Sequence, residues 1–235
     1  MKNKNVKSVL SLTGYLLLVF ALCFSASLVF HNLYYDLIYV SGGSMYPTLN
    51  KHISSSEENT DKEGALVDFG IMDTHASAIN HISRFDIVST YYPLNDNYKD
   101  DYNADGSLKN SAKMKIKRVI ALPNETFTIQ DGLLSVKKGD EFVKIPYPFK
   151  INLSSIHKND KDVNEKTLGE NEYWVLGDNR DSSKDCGYMN FPIYKENLVG
   201  VLVAIEGQAK LKLKTSSAYV EYDLVNKQYH WPQYF

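Results

Sequence analysis

The chain has 235 residues, a formal net charge of −2 at pH 7 and a pI near 6.3. This charge balance gives no basic surface of the kind that nucleic-acid-binding domains use, so we expect no nucleic-acid partner. Only two cysteines occur, Cys23 and Cys186, which excludes a framework of disulfides. Seventeen tyrosines and ten phenylalanines, with many β-branched residues, favour a mainly β fold.

The first element is an uncharged run of 23 residues, from Ser8 to Phe30. As a helix it would be about 34 Å long, which is enough to cross a hydrocarbon core of about 30 Å. Ser25-Ala26-Ser27 is similar to a signal-peptide cleavage site, but the apolar run continues beyond it. We therefore predict an uncleaved, single-pass transmembrane helix at residues 8–30. Three lysines precede it and predict that residues 1–7 lie in the cytoplasm: Lys2, Lys4 and Lys7.

The rest of the chain predicts an all-β domain of antiparallel sheets, residues 31–205, on the outer side of the membrane. Short β-branched and aromatic runs alternate with turn signals such as Asp131-Gly132, and no long helical periodicity follows Tyr35. We predict strands at 64–72, 85–92, 115–122, 126–129, 133–136, 142–145, 173–176, 198–205, 210–214 and 218–224. Two polar stretches predict loop insertions, 51–62 and a mobile one at 94–113, and residues 206–235 form a C-terminal extension of uncertain role.

Part of the second insertion is similar to a calcium-binding loop. Asp101, Asn103 and Asp105 place oxygen atoms at alternate positions, and Gly106 follows them as in the first half of an EF-hand. The twelfth position, where a glutamate would complete the site, is Ala112, and no helix is predicted on either side. A solvated acidic turn explains the pattern better, so we expect no metal site.

Residues 41–49 read SGGSMYPTL and place Ser44 directly after two glycines. Glycine permits left-handed backbone and close approach of another chain, which suits both a nucleophile and an oxyanion hole. Taken alone, however, the stretch is weak evidence and fits an ordinary turn better. About 14 residues separate the apolar run from Ser44, and even fully extended they reach at most ~50 Å. We therefore expect Ser44 to lie near the membrane surface.

Two later stretches carry charged residues next to predicted strands. In the strand at 115–122, Lys117 and Arg118 face opposite sides, so one of them points inward if one face is buried. Residues 177–185 read GDNRDSSKD and follow the strand at 173–176. Taken separately, the first fits a solvent-facing lysine and the second a hydrogen-bonded Gly-Asp-Asn turn.

Together with Ser44, these stretches resemble the type I signal peptidases. SGGSMYPTL (41–49) is similar to the nucleophile motif of that family, and SRFDIVSTYYP (83–93) to its second strand motif. KRVIALPNE (117–125) resembles the motif that supplies the general base, and GDNRDSSKD (177–185) resembles the last motif. The four occur in the family's order behind one anchor, and the resemblance covers about residues 8–205. It implies a membrane-anchored, all-β catalytic domain with a Ser/Lys dyad.

The resemblance makes Ser44 the nucleophile and Lys117 its general base, with no metal or organic cofactor. A lysine accepts a proton only when neutral, so we expect Lys117 to lie against apolar groups, near the Ser183 hydroxyl that orients it. The oxyanion hole would use the Ser44 backbone N–H, with a second donor from backbone near Gly42 or from Ser41. The resemblance also places further residues around the dyad: Arg118, Asp178, Asn179, Arg180 and Asp185 as structural support, and Met45 and Pro47 in the substrate pocket.

The last motif departs from the family pattern at its end. Asp185-Cys186-Gly187 stands where the family usually has Asp-Ser-Arg, so Asp185 lacks the expected arginine. A buried carboxylate without a partner would be costly. We therefore expect Arg180 or Arg118 to neutralise Asp185.

Three further departures replace glycines. Phe85 precedes Asp86 where the family usually has glycine, and Ala121 and Asn124 stand where glycines are common in the base motif. Asparagine tolerates left-handed backbone better than most residues, so Asn124 is the mildest change. These departures concern the fine geometry around the dyad rather than the dyad itself.

The resulting functional hypothesis is an endopeptidase that removes signal peptides from secreted preproteins. By resemblance, its substrates carry small residues at the first and third positions before the cut, as in Ala-x-Ala. Membrane lipid is the other expected partner, because the anchor and three nearby aromatic residues suit the membrane–water interface: Tyr34, Tyr35 and Tyr39. The cell membrane is the expected location, with the catalytic domain outside the cytoplasm.

Two alternatives belong to other classes of protein. The first is a catalytically inactive, membrane-anchored homologue that binds secreted or pilus subunits, and the presence of both Ser44 and Lys117 argues against it. The second is a self-cleaving regulator of the repressor type. Such regulators are soluble and carry a DNA-binding segment, whereas this chain begins with an apolar span and is not basic.

Overall fold

The structure is a computed structural model that describes residues 2–51, 64–94, 99–154, 162–212 and 221–230. The chain divides into two compact units, 1–36 and 37–235. In the described residues the first unit is mainly one helix and the second consists mainly of antiparallel strands, as predicted. Beyond Lys51, the loop predicted at 51–62 lies outside the described residues.

Helix α1 (Lys2–Tyr34) contains the predicted anchor and extends past it at both ends. Ser11–Val29 has the length and apolar composition of a membrane span, and none of this stretch is buried within the protein. Leu17 and Phe20, for example, are 64% and 69% exposed. A helix that is apolar on all sides needs an apolar environment around it, and a bilayer provides one. The helix therefore fits a membrane anchor.

Two short helices, α2 (Ala76–Asn80) and α3 (Cys186–Met189), lie among twelve strands in the described part of the chain. The strands are β1 (Tyr35–Tyr39), β2 (Leu66–Asp73), β3 (Ile87–Thr90), β4 (Lys115–Ala121), β5 (Thr126–Gln130), β6 (Leu133–Lys138), β7 (Glu141–Ile145), β8 (Val163–Thr167), β9 (Glu172–Leu176), β10 (Ile193–Tyr194), β11 (Leu198–Lys212) and β12 (Glu221–His230).

The strand order of the larger sheet determines how the motifs found in the sequence lie relative to one another. The order is β1-β2-β11-β3-β4-β9-β10, and β12 pairs with the far part of β11. β4 lies between β3 and β9, with Lys117 opposite Val88 and Arg118 opposite Leu176. Stretches that are about 60 residues apart in the sequence are therefore neighbours in one sheet.

The smaller sheet has the order β7-β6-β5-β8 and shares an apolar core with the larger one. Phe127 of β5 and Trp174 of β9 meet in that core with ring centroids 5.5 Å apart. A second apolar cluster lies beneath residues 41–49 and includes Val40, Met45 and Leu49. Burial of these three side chains fixes the segment that carries Ser44 to the larger sheet.

Most predicted strands are present, and the differences are informative. The two strands predicted at 198–205 and 210–214 form one continuous strand, β11, so the predicted boundary at 205 falls inside a strand. A register shift between Ile205 and Gly207 accounts for the apparent break in the sequence pattern. Three strands were not predicted: β1, β8 and β10.

The described part of the second insertion, 99–113, is attached to the domain by hydrogen bonds. The Tyr102 hydroxyl donates to the Tyr92 carbonyl at 2.6 Å, and the Tyr92 hydroxyl donates to the Lys184 carbonyl at 2.5 Å. Within the calcium-like stretch, Asp105 accepts hydrogen bonds from both the backbone and the hydroxyl of Ser107. These bonds hold the pKa of the Asp105 carboxyl below its usual range. The stretch forms a self-contained acidic turn.

Candidate functional site

Ser44 and Lys117 meet in the structure. The Lys117 Nζ lies 2.9 Å from the Ser44 Oγ and also donates to the carbonyl oxygen of Ile116, at 2.9 Å. Lys117 is only 4% exposed. The amine is therefore removed from bulk water and held against the serine hydroxyl, as a dyad requires.

Both faces of β4 are buried around the site, whereas the sequence analysis considered burial of only one face of this strand. Arg118, the neighbour of Lys117, is completely buried and pairs with Asp178 on the opposite side of the strand. Its Nη2 and Nε lie 2.6 and 2.8 Å from the two carboxylate oxygens. Thr48 donates to the same carboxylate at 2.5 Å. This bidentate pair connects β4, the last motif and the segment that carries Ser44.

The rest of the Arg118 guanidinium is held by two aromatic residues. Its Nη1 donates to the carbonyl oxygen of Phe85 at 2.8 Å, and its central carbon lies 3.8 Å from the centre of the Phe149 ring. Phe85 has a φ of +78°, a backbone conformation that glycine adopts far more easily. Phe85 therefore adopts a backbone conformation that suits the glycine usual at this position in the family. The hydrogen bond from Arg118 to its carbonyl oxygen helps to stabilise that conformation. Asn124, with φ +64°, is also left-handed.

Asn179 and Gly177 fix the backbone around Ser44. The Asn179 backbone N–H donates to the Ser44 carbonyl at 3.0 Å, and its side-chain amide donates to the Gly43 carbonyl at 2.9 Å. A Cβ atom on Gly177 would overlap the Ser44 carbonyl oxygen and the Ser183 hydroxyl. Gly177 therefore allows the last motif to touch the nucleophile segment, and Ser183 lies beside the same glycine.

Asn50 and Asp68 hold the two ends of the nucleophile segment together, and no sequence motif indicates a role for either residue. The Asn50 side-chain amide donates to the carbonyl oxygens of Val40 and Gly42, at 2.7 and 3.0 Å. Asn50 and Asp68 also exchange hydrogen bonds between side chain and backbone in both directions. Both residues are buried. An isolated Asn and Asp match no motif, so only the fold reveals their role.

Gly42 has a φ of +83°, and the place of its missing Cβ is open. This conformation suits the predicted position next to an oxyanion hole, because the backbone there is accessible. Ser41, the other candidate donor, is exposed. The second oxyanion donor remains a prediction at this position.

Arg118, one of the two arginines expected to neutralise Asp185, forms its ion pair with Asp178. The Asp185 carboxylate accepts backbone N–H groups of Gly177, Gly187 and Tyr188 and caps the start of α3. Such contacts stabilise a carboxylate, and neutralisation of Asp185 by an arginine stays a prediction. Glycine at position 187 is compatible with this arrangement.

Arg180 and Cys186, which lie near Asp185 in the sequence, are both buried. Arg180 is 3% exposed, and none of its side-chain nitrogens has a hydrogen-bond partner in the part of the chain that the structure describes. Its guanidinium lies 5.3 Å from the centre of the Tyr147 ring. Cys186 is fully buried, and burial raises the pKa of its thiol. Cys186 thus acts as a small apolar core residue.

Ser44 and Lys117 open onto a cleft with a volume of about 740 Å³. One wall is formed by the end of β1 and the residues after it, from Leu37 to Ser41, and another by residues 110–116. Of the two residues predicted for the substrate pocket, Met45 lines the cleft, whereas Pro47 is not among the described residues that line it. In the described ranges, no group of three His, Cys, Asp or Glu side chains is arranged to hold a metal ion. The cleft is large enough for several residues of an extended peptide.

A mainly β domain behind an apolar helix, with a buried lysine hydrogen-bonded to a serine in an open cleft, defines the class of a membrane-associated peptidase. Residues 12–205 match the family described as signal peptidase, peptidase S26, and the chain belongs to that family. Among solved structures, the chain is similar to a signal peptidase I from Enterococcus faecalis V583, with 27% identity and a TM-score of 0.36. That match covers 52% of this chain and 96% of the other. The comparison with curated proteins found no similar sequence.

Proposed function

We propose that the protein is a membrane-bound serine endopeptidase that removes N-terminal signal peptides from secreted preproteins, with Ser44 and Lys117 as its catalytic dyad. The observation that carries the proposal is the 2.9 Å hydrogen bond between Lys117 Nζ and Ser44 Oγ inside the cleft. Membership of the signal peptidase family supports the peptidase activity and the class of substrate.

In the first half of the reaction, Ser44 Oγ attacks the carbonyl carbon of the scissile peptide bond while its proton moves to Lys117 Nζ. The negative charge that develops on the carbonyl oxygen is stabilised by the Ser44 backbone N–H, next to the accessible backbone at Gly42. Lys117 then gives the proton to the departing amine, and the signal peptide stays bound to Ser44 as an ester.

In the second half, Lys117 accepts a proton from a water molecule, which attacks the ester carbonyl, and then gives that proton to Ser44 Oγ as the ester bond breaks and the signal peptide leaves. The same amine therefore transfers a proton in each half of the reaction, and no metal or organic cofactor takes part. Ser183, beside Gly177, orients the amine in this proposal.

Lys117 must be neutral to act in this way, because an ammonium group has no lone pair to accept a proton. Its burial against the Ser44 hydroxyl and the Ile116 carbonyl supports that requirement, since removing an amine from water disfavours the charged form. The neighbouring Arg118 does not compete for the role, because it stays charged and is paired with Asp178.

The substrate class follows from the cleft and the anchor. We propose that preproteins with small residues at the first and third positions before the cut lie extended along the cleft, against Met45. Helix α1 keeps the enzyme in the membrane that the apolar part of the signal peptide also enters. The anchor thus raises the effective concentration of the cleavage site near Ser44.

The test is a comparison of the wild-type chain with Ser44→Ala, Lys117→Ala and Lys117→Arg in detergent or lipid, on a preprotein whose signal ends in Ala-x-Ala. Each variant is expected to lose activity by several orders of magnitude, because each removes a member of the dyad. Arginine keeps the charge but does not deprotonate in proteins, so Lys117→Arg should fail as fully as alanine. The wild-type rate should rise with pH as the neutral amine becomes more abundant.

Two controls sharpen this test. The Ser44→Ala, Lys117→Ala double variant should be no slower than either single variant, because residues that act as a unit are not additive. A chelator should leave the rate unchanged, since the proposed chemistry uses no metal. Cleavage by Lys117→Arg near the wild-type rate would refute the dyad. A wild-type chain that binds the preprotein and never cuts it would instead support the inactive, binding homologue.

A further inference from the structure

Ser89 is a buried polar residue that borders the cleft. It is neither part of the proposed dyad nor one of the residues that support it. It is the third residue of β3, lines the same cleft as Ser44 and Lys117, and is 2% exposed. Its hydroxyl has no hydrogen-bond partner among the residues that the structure describes. A buried hydroxyl without a hydrogen-bond partner lowers the stability of the fold unless another group supplies that partner.

The strand pairing places Ser89 close to the dyad. Ser89 lies directly opposite Ile116, the residue before Lys117, whose carbonyl oxygen accepts a hydrogen bond from the Lys117 amine. Residues that face each other across an antiparallel pair have Cα atoms about 4.5–5.5 Å apart. Ser89 is therefore one strand spacing from the backbone that holds the proposed base.

The surroundings of Ser89 are apolar. Ile116 lies on the same face of the sheet as Ser89 and packs against a cluster that includes Met45 and Ile87. Ile38, Met45 and Ile116 also line the cleft. A substrate side chain that enters this part of the cleft thus meets apolar groups and the Ser89 hydroxyl.

The neighbouring residue shows that β3 can satisfy a hydroxyl internally. Thr90 is completely buried, and its hydroxyl shares its one proton between the carbonyl oxygens of Tyr91 and Asn197, which lie 2.8 and 3.0 Å from Oγ1. Ser89 lies on the other face of β3, lines the cleft and has no such internal acceptor among the described residues. The two hydroxyls therefore differ in that contacts within the fold satisfy Thr90, whereas Ser89 borders the cleft.

We propose that Ser89 is a specificity-determining residue, and that its hydroxyl exchanges a hydrogen bond with a hydroxyl-bearing side chain of the substrate next to the scissile bond. This inference rests on the proposed function. A hydroxyl has one donor and two acceptor positions, so two serines can satisfy each other. The enzyme would accept serine at one substrate position in preference to an apolar residue of the same size.

The size of the preference follows from the net strength of a neutral hydrogen bond. We expect about a 3- to 10-fold advantage in kcat/KM for a serine over an isosteric apolar side chain at that position. The comparison residue is 2-aminobutyrate, in which a methyl group replaces the serine hydroxyl. This choice changes the polarity of the side chain and leaves its size almost unchanged.

The experiment uses the full chain in detergent and a series of signal-peptide substrates. Serine and 2-aminobutyrate are placed in turn at the first and third positions before the cut, and kcat/KM is measured for each member of a pair. In the wild type, one position should show the 3- to 10-fold preference for serine. In Ser89→Ala that ratio should fall to about 1, because the partner hydroxyl is gone.

Thr90→Val is the matched control, because it removes a buried hydroxyl from the adjacent position of the same strand. It should lower the melting temperature by removing the buried hydrogen bond that Thr90 shares between two carbonyl oxygens, yet keep the wild-type serine preference. Ser89→Ala should not lower the melting temperature, since its hydroxyl has no bond within the described chain to lose.

The possible failures are distinguishable. If the wild type cleaves all the peptides with equal kcat/KM for serine and 2-aminobutyrate, Ser89 does not contribute to substrate specificity, and the proposed function stands. A preference that survives in Ser89→Ala, or a clear loss of thermal stability in that variant, also overturns the inference. If the wild type cleaves no peptide of the series, the proposed function is refuted and the inference with it.

Discussion

Arg118 and Arg180 are both buried arginines beside aromatic rings, but their polar surroundings differ. Arg118 has a bidentate partner in Asp178 and a further bond to the Phe85 carbonyl. The Arg180 guanidinium lies over Tyr147 with no hydrogen-bond acceptor in the described ranges. Removing one member of a buried ion pair leaves the other charge without a partner, whereas removing an unsatisfied buried charge relieves a desolvation cost.

Replacing each arginine by methionine should therefore have opposite effects on the free energy of unfolding. Arg118→Met is expected to lower it by about 3–5 kcal/mol, because Asp178 would remain buried and charged. Arg180→Met is expected to leave it unchanged or raise it by about 1–3 kcal/mol. Denaturant unfolding of the two variants in the same detergent measures both values. Equal losses in the two variants would show that Arg180 has a polar partner in solution.

Single residues also show where reasoning from the sequence succeeds and where it stops. Ser44 and Lys117 were identified because they lie in recognisable motifs, and the structure brings them into contact. Asn50 has no motif, and its role depends on contacts with Val40 and Gly42 that only the folded chain creates. The pairing of Arg118 with Asp178 was not predicted, because the register between β4 and β9 brings them together and a sequence does not reveal register across 60 residues.

At the scale of elements, strands with a strong apolar pattern were predicted and polar or very short ones were not. β8 (Val163–Thr167) contains Asn, Glu and Lys and lies at the edge of the smaller sheet, so only Val163 is well buried. β10 has two residues, too few for any pattern. β11 was divided because Gly207 and a shift of register interrupt its alternation. Tertiary pairing, rather than local preference, stabilises these elements.

The contact between the last motif and the nucleophile segment depends on a single glycine. Gly177→Ala would place a methyl group against the Ser44 carbonyl oxygen and the Ser183 hydroxyl, so the backbone at Ser44 must move. A displacement of about 1 Å at a reacting group costs on the order of 100-fold in rate. We expect kcat/KM on an Ala-x-Ala substrate to fall by about that factor in purified, folded Gly177→Ala.

Gly70→Ala provides the matched control for crowding alone. An added Cβ at Gly70 also meets backbone, at 2.5 Å from the Ala204 carbonyl oxygen, but within the pairing of β2 with β11. This variant should lose stability, while its folded fraction keeps most of its activity. If the two variants lose activity to the same extent, the effect is general destabilisation and Gly177 has no special relation to Ser44.

At the scale of the whole molecule, the apolar helix and the β domain are separate units. Lysines before an N-terminal membrane helix favour an orientation with those lysines in the cytoplasm. With that orientation, we propose, the β domain lies on the outer side, where secreted preproteins emerge. Both the orientation and the substrate class depend on this arrangement.

The orientation can be measured with a chain that is tagged at both ends. Protease added to spheroplasts should remove the C-terminal tag and digest the chain beyond about Tyr35, while the N-terminal tag survives. A cytoplasmic marker protein that stays intact shows that the membrane is closed. A C-terminal tag that is protected until detergent is added would place the domain in the cytoplasm and exclude secreted preproteins as substrates at the outer face.

Because Lys117 and Arg118 are adjacent in β4, the positions at which this chain can gain or lose residues during evolution are restricted. One inserted residue in the first part of β4 could slip its register by one position and exchange the two side chains between the faces of the strand. An arginine would then face Ser44 and a lysine would face Asp178, which conserves the total charge but leaves Ser44 without a group able to take its proton. Insertions and deletions are therefore expected to accumulate between Thr90 and Lys115, where they leave the alternation of β4 intact, and to be eliminated by selection within it.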